Sequence, residues 1–177
     1  MKKLFFYFFL IFLFTNSFGQ KVPRFSKIAI SNSGCFAYFP GTPTNFNASF
    51  SEDSSIVYTG SFDFDGYTFG IVSVKFARKT GANNEELENL LIAYMDYLKT
   101  FFDISSTAGY GKGHTLESNP DAIGILDYWE DKSGNQLNVK AWVDHYYLGF
   151  MYLLGKTEYP NINIVQLFQN GFRFPEK

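Results

Sequence analysis

Two β-rich runs, Ile56 to Phe64 and Tyr67 to Arg78, meet at Asp65-Gly66, and no other feature of the chain narrows its fold as much. An Asp-Gly pair between such runs marks a two-residue hairpin, because both turn positions must accept a positive φ. A tight hairpin joins antiparallel strands, so the centre of the chain is an antiparallel sheet. In the first run Ile56, Tyr58, Phe62 and Phe64 share one face by the period of two, and Val57, Thr59, Ser61 and Asp63 share the other, more polar one. In the second, Tyr67, Phe69 and Ile71 face one way while Val72, Val74 and Phe76 face the other, which predicts a strand covered on both sides.

The rest of the chain extends this frame. Lys27 to Ile30 reads as a short strand, and Cys35 to Phe39 as another, stopped by Pro40-Gly41-Thr42-Pro43 because proline removes a ladder donor. Asn45 to Phe50 pairs briefly. One helix stands out over about 85–102. Asn83 with Glu86 fits a capping box, Glu85, Glu86 and Glu88 suit the positive end of the helix dipole, and Leu87, Leu90, Leu91, Tyr94, Leu98 and Phe101 form an apolar stripe that must pack on the sheet. Ser105 to Gly113 is small and glycine-rich. Ala122 to Asp131 and Gln136 to Asp144 flank a second turn at Lys132-Ser133-Gly134-Asn135. Leu137, Val139, Ala141 and Val143 alternate with Asn138, Lys140, Trp142 and Asp144, a one-sided strand with Trp142 as the exception. Tyr146 to Leu154 is apolar on both faces and belongs in the centre of the sheet. Asn161 caps a short last helix over about 161–169, and Gly171 follows it. The expectation is an α+β fold, an antiparallel sheet of about six strands with one long helix and one short C-terminal helix packed on it.

The N-terminus reads as a secretory signal peptide over 1–19, leaving 20–177 as one globular domain. Lys2 and Lys3 precede the unbroken apolar run Leu4 to Phe14, and Ser17-Phe18-Gly19 places small residues before Gln20. That run covers about 17 Å as a helix, against the ~30 Å of a hydrocarbon core. No later stretch is longer, so no membrane span is expected once the signal is cleaved. The product is exported, to the periplasm or the extracellular space. The formal charge is −2, and removing Lys2 and Lys3 makes the mature chain more acidic still. This balance argues against nucleic acid and against docking on anionic lipid. The single cysteine, Cys35, excludes an internal disulfide and reads as a small buried hydrophobe.

Candidate chemistry is sparse. Gly109-Tyr110-Gly111-Lys112-Gly113-His114 has neither the spacing nor the setting of a phosphate loop and reads as a flexible loop. His114 and His145 are the only histidines. Asp144 and His145 are neighbours and would point to opposite faces of a strand, and a metal site built from both histidines with Asp127 or Glu130 has no spacing to support it. Asp63-Phe64-Asp65-Gly66 lacks the remaining ligands of a calcium loop. No GxSxG or HExxH occurs, so no catalytic residue, metal ligand or cofactor is assigned. The remaining clue is a surplus of tyrosine and tryptophan, residue types that suit interfaces. Trp129, Trp142, Tyr128 and Tyr146 are the candidate binding residues.

The opening Phe36-Ala37-Tyr38-Phe39-Pro40-Gly41-Thr42-Pro43, the closing Phe168-Gln169-Asn170-Gly171-Phe172-Arg173-Phe174 and the order of elements between them resemble the PsbP-like fold. The resemblance implies an antiparallel sheet flanked by helices, acting by binding partners. The phenylalanine-rich leader ending Phe18-Gly19-Gln20 is similar to those of small exported proteins of the Bacteroidetes. The expected role is an exported, non-enzymatic domain that binds a protein or envelope component through an aromatic sheet face or loop. The alternative is a carrier of a small apolar or lipid-like ligand between the long helix and the sheet, which needs an apolar cavity of about 300 Å³ or more. A third reading, a hydrolase or metal enzyme using His114 or His145, needs carboxylates to converge on them.

Overall fold

The central hairpin forms as its turn chemistry requires. In the computed structural model, which describes residues 23–43 and 46–176, Asp65 and Gly66 have φ of 53° and 82°. They join β4 (Ile56–Phe64) to β5 (Tyr67–Lys75) with Phe64 opposite Tyr67. The other strands are β1 (Ser26–Ala29), β2 (Phe36–Phe39), β3 (Asn47–Phe50), β6 (Ile104–Thr107), β7 (Gly111–Leu116), β8 (Asn119–Asp131), β9 (Gln136–Val143) and β10 (Tyr147–Gly155). The proposed signal peptide lies outside the described residues. No helix among those described is long and apolar enough to cross a membrane.

The fold is α+β, but its sheet is wider than the expected six strands. Eight strands form one antiparallel sheet in the order β3-β4-β5-β10-β9-β8-β6, with β7 also on β8, and β1 and β2 form a separate hairpin. The additions are short edge strands. β6 and β7 pair with opposite ends of the long β8 through irregular registers, which is how a glycine-rich stretch becomes strand without an alternating pattern. β10 is central, between β5 and β9. The second hairpin turns on Asp131. Its Oδ1 accepts from the amides of Ser133 and Asn135, and these bonds, with that from the Asn135 side chain foremost, hold its carboxyl below the usual range.

The two helices lie on opposite faces of the sheet. Helix α1 (Asn84–Phe101) starts at the cap Asn83, whose Oδ1 accepts from the amide of Glu86 at 2.9 Å, while Glu86 reaches back to the amide of Ala82 at 2.8 Å. Its Leu87, Leu91, Met95 and Leu98 pack with Val74, Ile125, Trp129, Val139, Val143 and Phe150. Helix α2 (Ile162–Gln169) is capped by Asn161. Its Ile164, Val165 and Phe168 pack with Phe39, Phe69, Ile71, Trp142, Met151 and Phe172 from the reverse side. Neighbours Trp142 and Val143 therefore belong to different cores.

The alternation along β9 had predicted a strand with one open face. That face is instead closed by α2, which gathers the polar side chains at its C-terminal end. Gln169 donates to Asn138 at 2.6 Å, Lys140 donates to Asn170 at 2.8 Å, and the Trp142 indole donates to the carbonyl of Gln169 at 2.9 Å. The Trp142 ring can lie flat here because Gly124 faces it: a Cβ at that position would come within 2.2 Å of the indole. The two segments that carry the PsbP-like resemblance meet, with Phe36 and Arg173 exchanging both backbone hydrogen bonds.

Candidate functional site

The width of the sheet creates a long concavity beside one helix. Six strand spacings of ~4.8 Å make the sheet about 29 Å wide, whereas a helix with its side chains is about 10 Å across. Helix α1 lies closest to β8, β9 and β6 and its side chains still reach Val74 of β5, while on the same side Val57 and Thr59 of β4 stay half-buried and Phe50 of β3 is exposed. The result is a groove of about 780 Å³ between the helix flank and the outer strands. Its floor is Val57 and Thr59 of β4 with Val72 and Val74 of β5, and Leu90, Tyr94, Tyr97, Leu98 and Phe101 form the helical wall at three- and four-residue steps. The far wall is the β3–β4 connection around Phe50 and Asp53.

The groove continues along the strands. A second concavity of about 450 Å³ shares Thr59, Val72 and Phe101 with it and reaches Phe102 and Tyr152. From Phe76 at one end to Gly70, the strand partner of Tyr152, the trough runs six residues, roughly 20 Å. Among the described residues seven large apolar or aromatic side chains are exposed, and three of them, Phe50 (78%), Tyr97 (67%) and Phe101 (71%), line this groove. Such clustering distinguishes a site from apolar residues scattered singly over a surface.

The electrostatics of the trough are one-sided. Asp53 accepts from Ser51 Oγ, and at 3.1 and 2.9 Å from the amide and hydroxyl of Ser55. These bonds, that of Ser51 foremost, lower its pKa, so it stays ionised. The Tyr94 phenol is pushed up to about 12, chiefly by burial and further by Tyr97 and Asp53. A phenol so shifted is a neutral hydrogen-bonding group and not a base.

The aromatic residues expected to bind are dispersed. Trp129 is 2% exposed and Trp142 is 0% exposed, so neither is a surface anchor. Both indoles bury their rings in a core and satisfy the N–H internally, Trp129 with Asp127 Oδ2 at 2.7 Å and Trp142 with Gln169. Tyr128 and Tyr146 are exposed, but at opposite ends of the central strands. Tyr128 is in line with Asn138 and Leu153, seven residues along the chain from Tyr146, or roughly 23 Å. The four do not form one patch. Tyr128 instead borders a cleft of about 280 Å³ whose apolar walls, Trp129, Leu137 and Leu153, are buried.

The titratable candidates hold structural positions. The fully buried Asp127 accepts from the amides of Gly109 and Tyr128 and from Trp129, and lies 3.7 Å from Lys99 Nζ. Lys99 also donates to the Tyr110 hydroxyl at 2.8 Å, and that hydroxyl donates to Asp96. The network clips the Gly109–Tyr110 segment to α1. Among the described residues neither His114 nor His145 hydrogen-bonds a carboxylate. His145 Nδ1 rests on the carbonyl of Thr80 at 2.9 Å, and His114 on edge strand β7 has its pKa lowered by burial and then by Lys140. Among the described residues no three His, Cys, Asp or Glu are grouped to hold a metal. The Cys35 thiol is buried and pushed up to about 12, mainly by burial. Asp63 accepts from the Thr68 hydroxyl at 2.6 Å, a cross-strand bond of the hairpin.

Sequence reasoning picked out Leu90, Tyr94, Leu98 and Phe101 as a packing stripe and offered a ligand cavity between this helix and the sheet as its alternative, without assigning these residues to it. The available signal was that Tyr97 widens the stripe past what one contact surface needs, opposite a β4 face of Val57, Thr59, Ser61 and Asp63 whose one apolar side chain is Val57. No protein-family model and no curated protein matches this chain.

Proposed function

We propose that this chain is an exported, non-enzymatic binding domain that carries a small apolar or lipid-like ligand in the trough between α1 and strands β3 to β5. The supporting observation is the groove of about 780 Å³, which exceeds the few hundred Å³ that such a ligand needs and has an apolar floor. The three exposed aromatics on its walls would be covered by the ligand, removing from water the largest apolar surface the groove displays. A PsbP-like relationship agrees in kind, since it implies a binding domain. An aromatic patch around Trp129 and Trp142 is not available for a protein partner, because both rings are interior.

The test is displacement of a fluorescent apolar probe by dodecanol, in the wild type and in Val57→Arg. Val57 is half-buried on the groove floor, so arginine fills the trough and can extend its head toward solvent. The proposal expects dodecanol to displace the probe from the wild type and the variant to lose at least tenfold in affinity. Equal affinity in a folded variant would place the ligand elsewhere.

A further inference from the structure

The two ends of the trough differ in charge, and this bears on which amphiphile fits. The inference rests on the groove being the ligand site. At the end bordered by Phe76 and Thr80 the lining includes Glu52 and Asp53, together with the hydroxyls of Ser51 and Ser55. Asp53 is held ionised by its serine bonds, and its field reaches Tyr94 on the facing helix. Among the described residues no lysine or arginine lines the groove. Arg78 and Lys79 follow Phe76 in the loop, exposed and outside the lining. Lys75 acts on Cys35, in the core of the reverse face. At the other end the lining is Asn47, Thr59, Gly60, Ser61, Val72, Phe101, Phe102 and Tyr152, with no charged side chain. Asp63 is the one charge that acts on Tyr152, and it is again negative.

We infer that the trough selects an alkyl-chain amphiphile with an ammonium head, seated with the head between Glu52, Asp53 and the ring of Tyr94 or Tyr97 and the chain running toward Phe101 and Tyr152. Two carboxylates attract a cation, and the face of an aromatic ring adds attraction for an ammonium group in particular. The same carboxylates repel a fatty-acid or phosphate head, which would find no cation to pair with in the lining. The chain meets an apolar floor that is neutral at its far end, so the direction of insertion follows from the charge.

The experiment is a calorimetric titration of the protein with dodecyltrimethylammonium, dodecanol and dodecanoate, each below its micelle concentration, at low and moderate salt. The ammonium compound should bind about tenfold tighter than dodecanol, and dodecanoate more weakly than both. Glu52→Gln, at an exposed position, should remove most of the advantage of the ammonium compound over dodecanol. Glu117→Gln, exposed at the β7–β8 turn, should change neither and so separates the groove from general attraction to an acidic protein. Equal binding of the ammonium compound and dodecanol, or tighter binding of dodecanoate, overturns the head-group assignment and leaves the groove reading standing. Failure of all three chains to bind removes the groove reading and this inference together.

Discussion

Beneath one helix the same sheet face is sealed on one side and open on the other. On the β8–β9 side, Ile125, Trp129 and Val139 interlock with Leu91, Met95 and Leu98, and the Asp127–Lys99–Tyr110 network draws a loop across the seam. On the β4–β5 side Leu90 and Tyr94 pack against the margin of that core with Val57, while Tyr97 and Phe101 stay exposed above Thr59 and the groove opens between them. The difference shows that the width of the sheet, and not a shortage of apolar residues, leaves the groove. One helix cannot cover a face several strands wide, and no second helix lies there among the described residues.

The contrast predicts that mutations on the sealed side reduce stability and those on the open side reduce binding. The largest effect is expected from Trp129→Ala. Removing a ring stacked on Phe150 at 5.4 Å should destabilise by about 3–5 kcal/mol in chemical denaturation. It also strips Asp127 of a hydrogen bond. Asp127→Asn should cost about 1–3 kcal/mol, because the buried site is arranged for an acceptor with two amide donors and an indole. Gly124→Ala should cost a similar 1–3 kcal/mol by overpacking against Trp142, which has no open space to move into. By contrast, Tyr97→Ala and Phe101→Ala should each change stability by no more than about 0.5 kcal/mol, as exposed residues do, while weakening dodecanol binding severalfold. If these two variants unfolded the protein as readily as Trp129→Ala, the open half would be core and not a site.

The smallest effect is the pH dependence of the turns that frame each half. Asp53, beside the groove, and Asp131, in the second hairpin, both have lowered pKa values in the folded chain. Their contribution is present above the ordinary carboxylate range of about 4 and is lost as pH falls through the lowered folded values. Asp131→Asn should therefore flatten the acid side of the stability profile without altering ligand binding, and Asp53→Asn should alter both. Denaturation midpoints between neutral and strongly acid pH check this.

Much of the frame was legible because short-range chemistry set it. Asp65-Gly66 marked the hairpin, Asn83 and Glu86 the start of α1, and the period of two placed Ile56, Tyr58 and Phe62 on one face of β4 and Val57 and Thr59 on the other. Three things were not legible. Strands β6 and β7 have no alternation, since irregular pairing with β8 relieves them of it. The side chains of Asn138 and Lys140 read as solvent-facing because nothing local announces that α2, some thirty residues later, will meet them. The groove follows from where α1 settles across a wide sheet, which is fixed by long-range partners such as Trp129 and Asp127. Trp129 and Trp142 misled for a related reason: the residue type that suits an interface is equally suited to a core that satisfies its N–H.

The most direct test is photo-crosslinking with a twelve-carbon alkyl alcohol bearing a diazirine in mid-chain, followed by peptide mapping of the adducts. The account predicts labels within residues 49–59 of the β3–β4 region and 90–101 of α1, suppressed by excess dodecanol. Adducts confined to 119–131 or 162–169, or labelling that dodecanol does not compete, would contradict it.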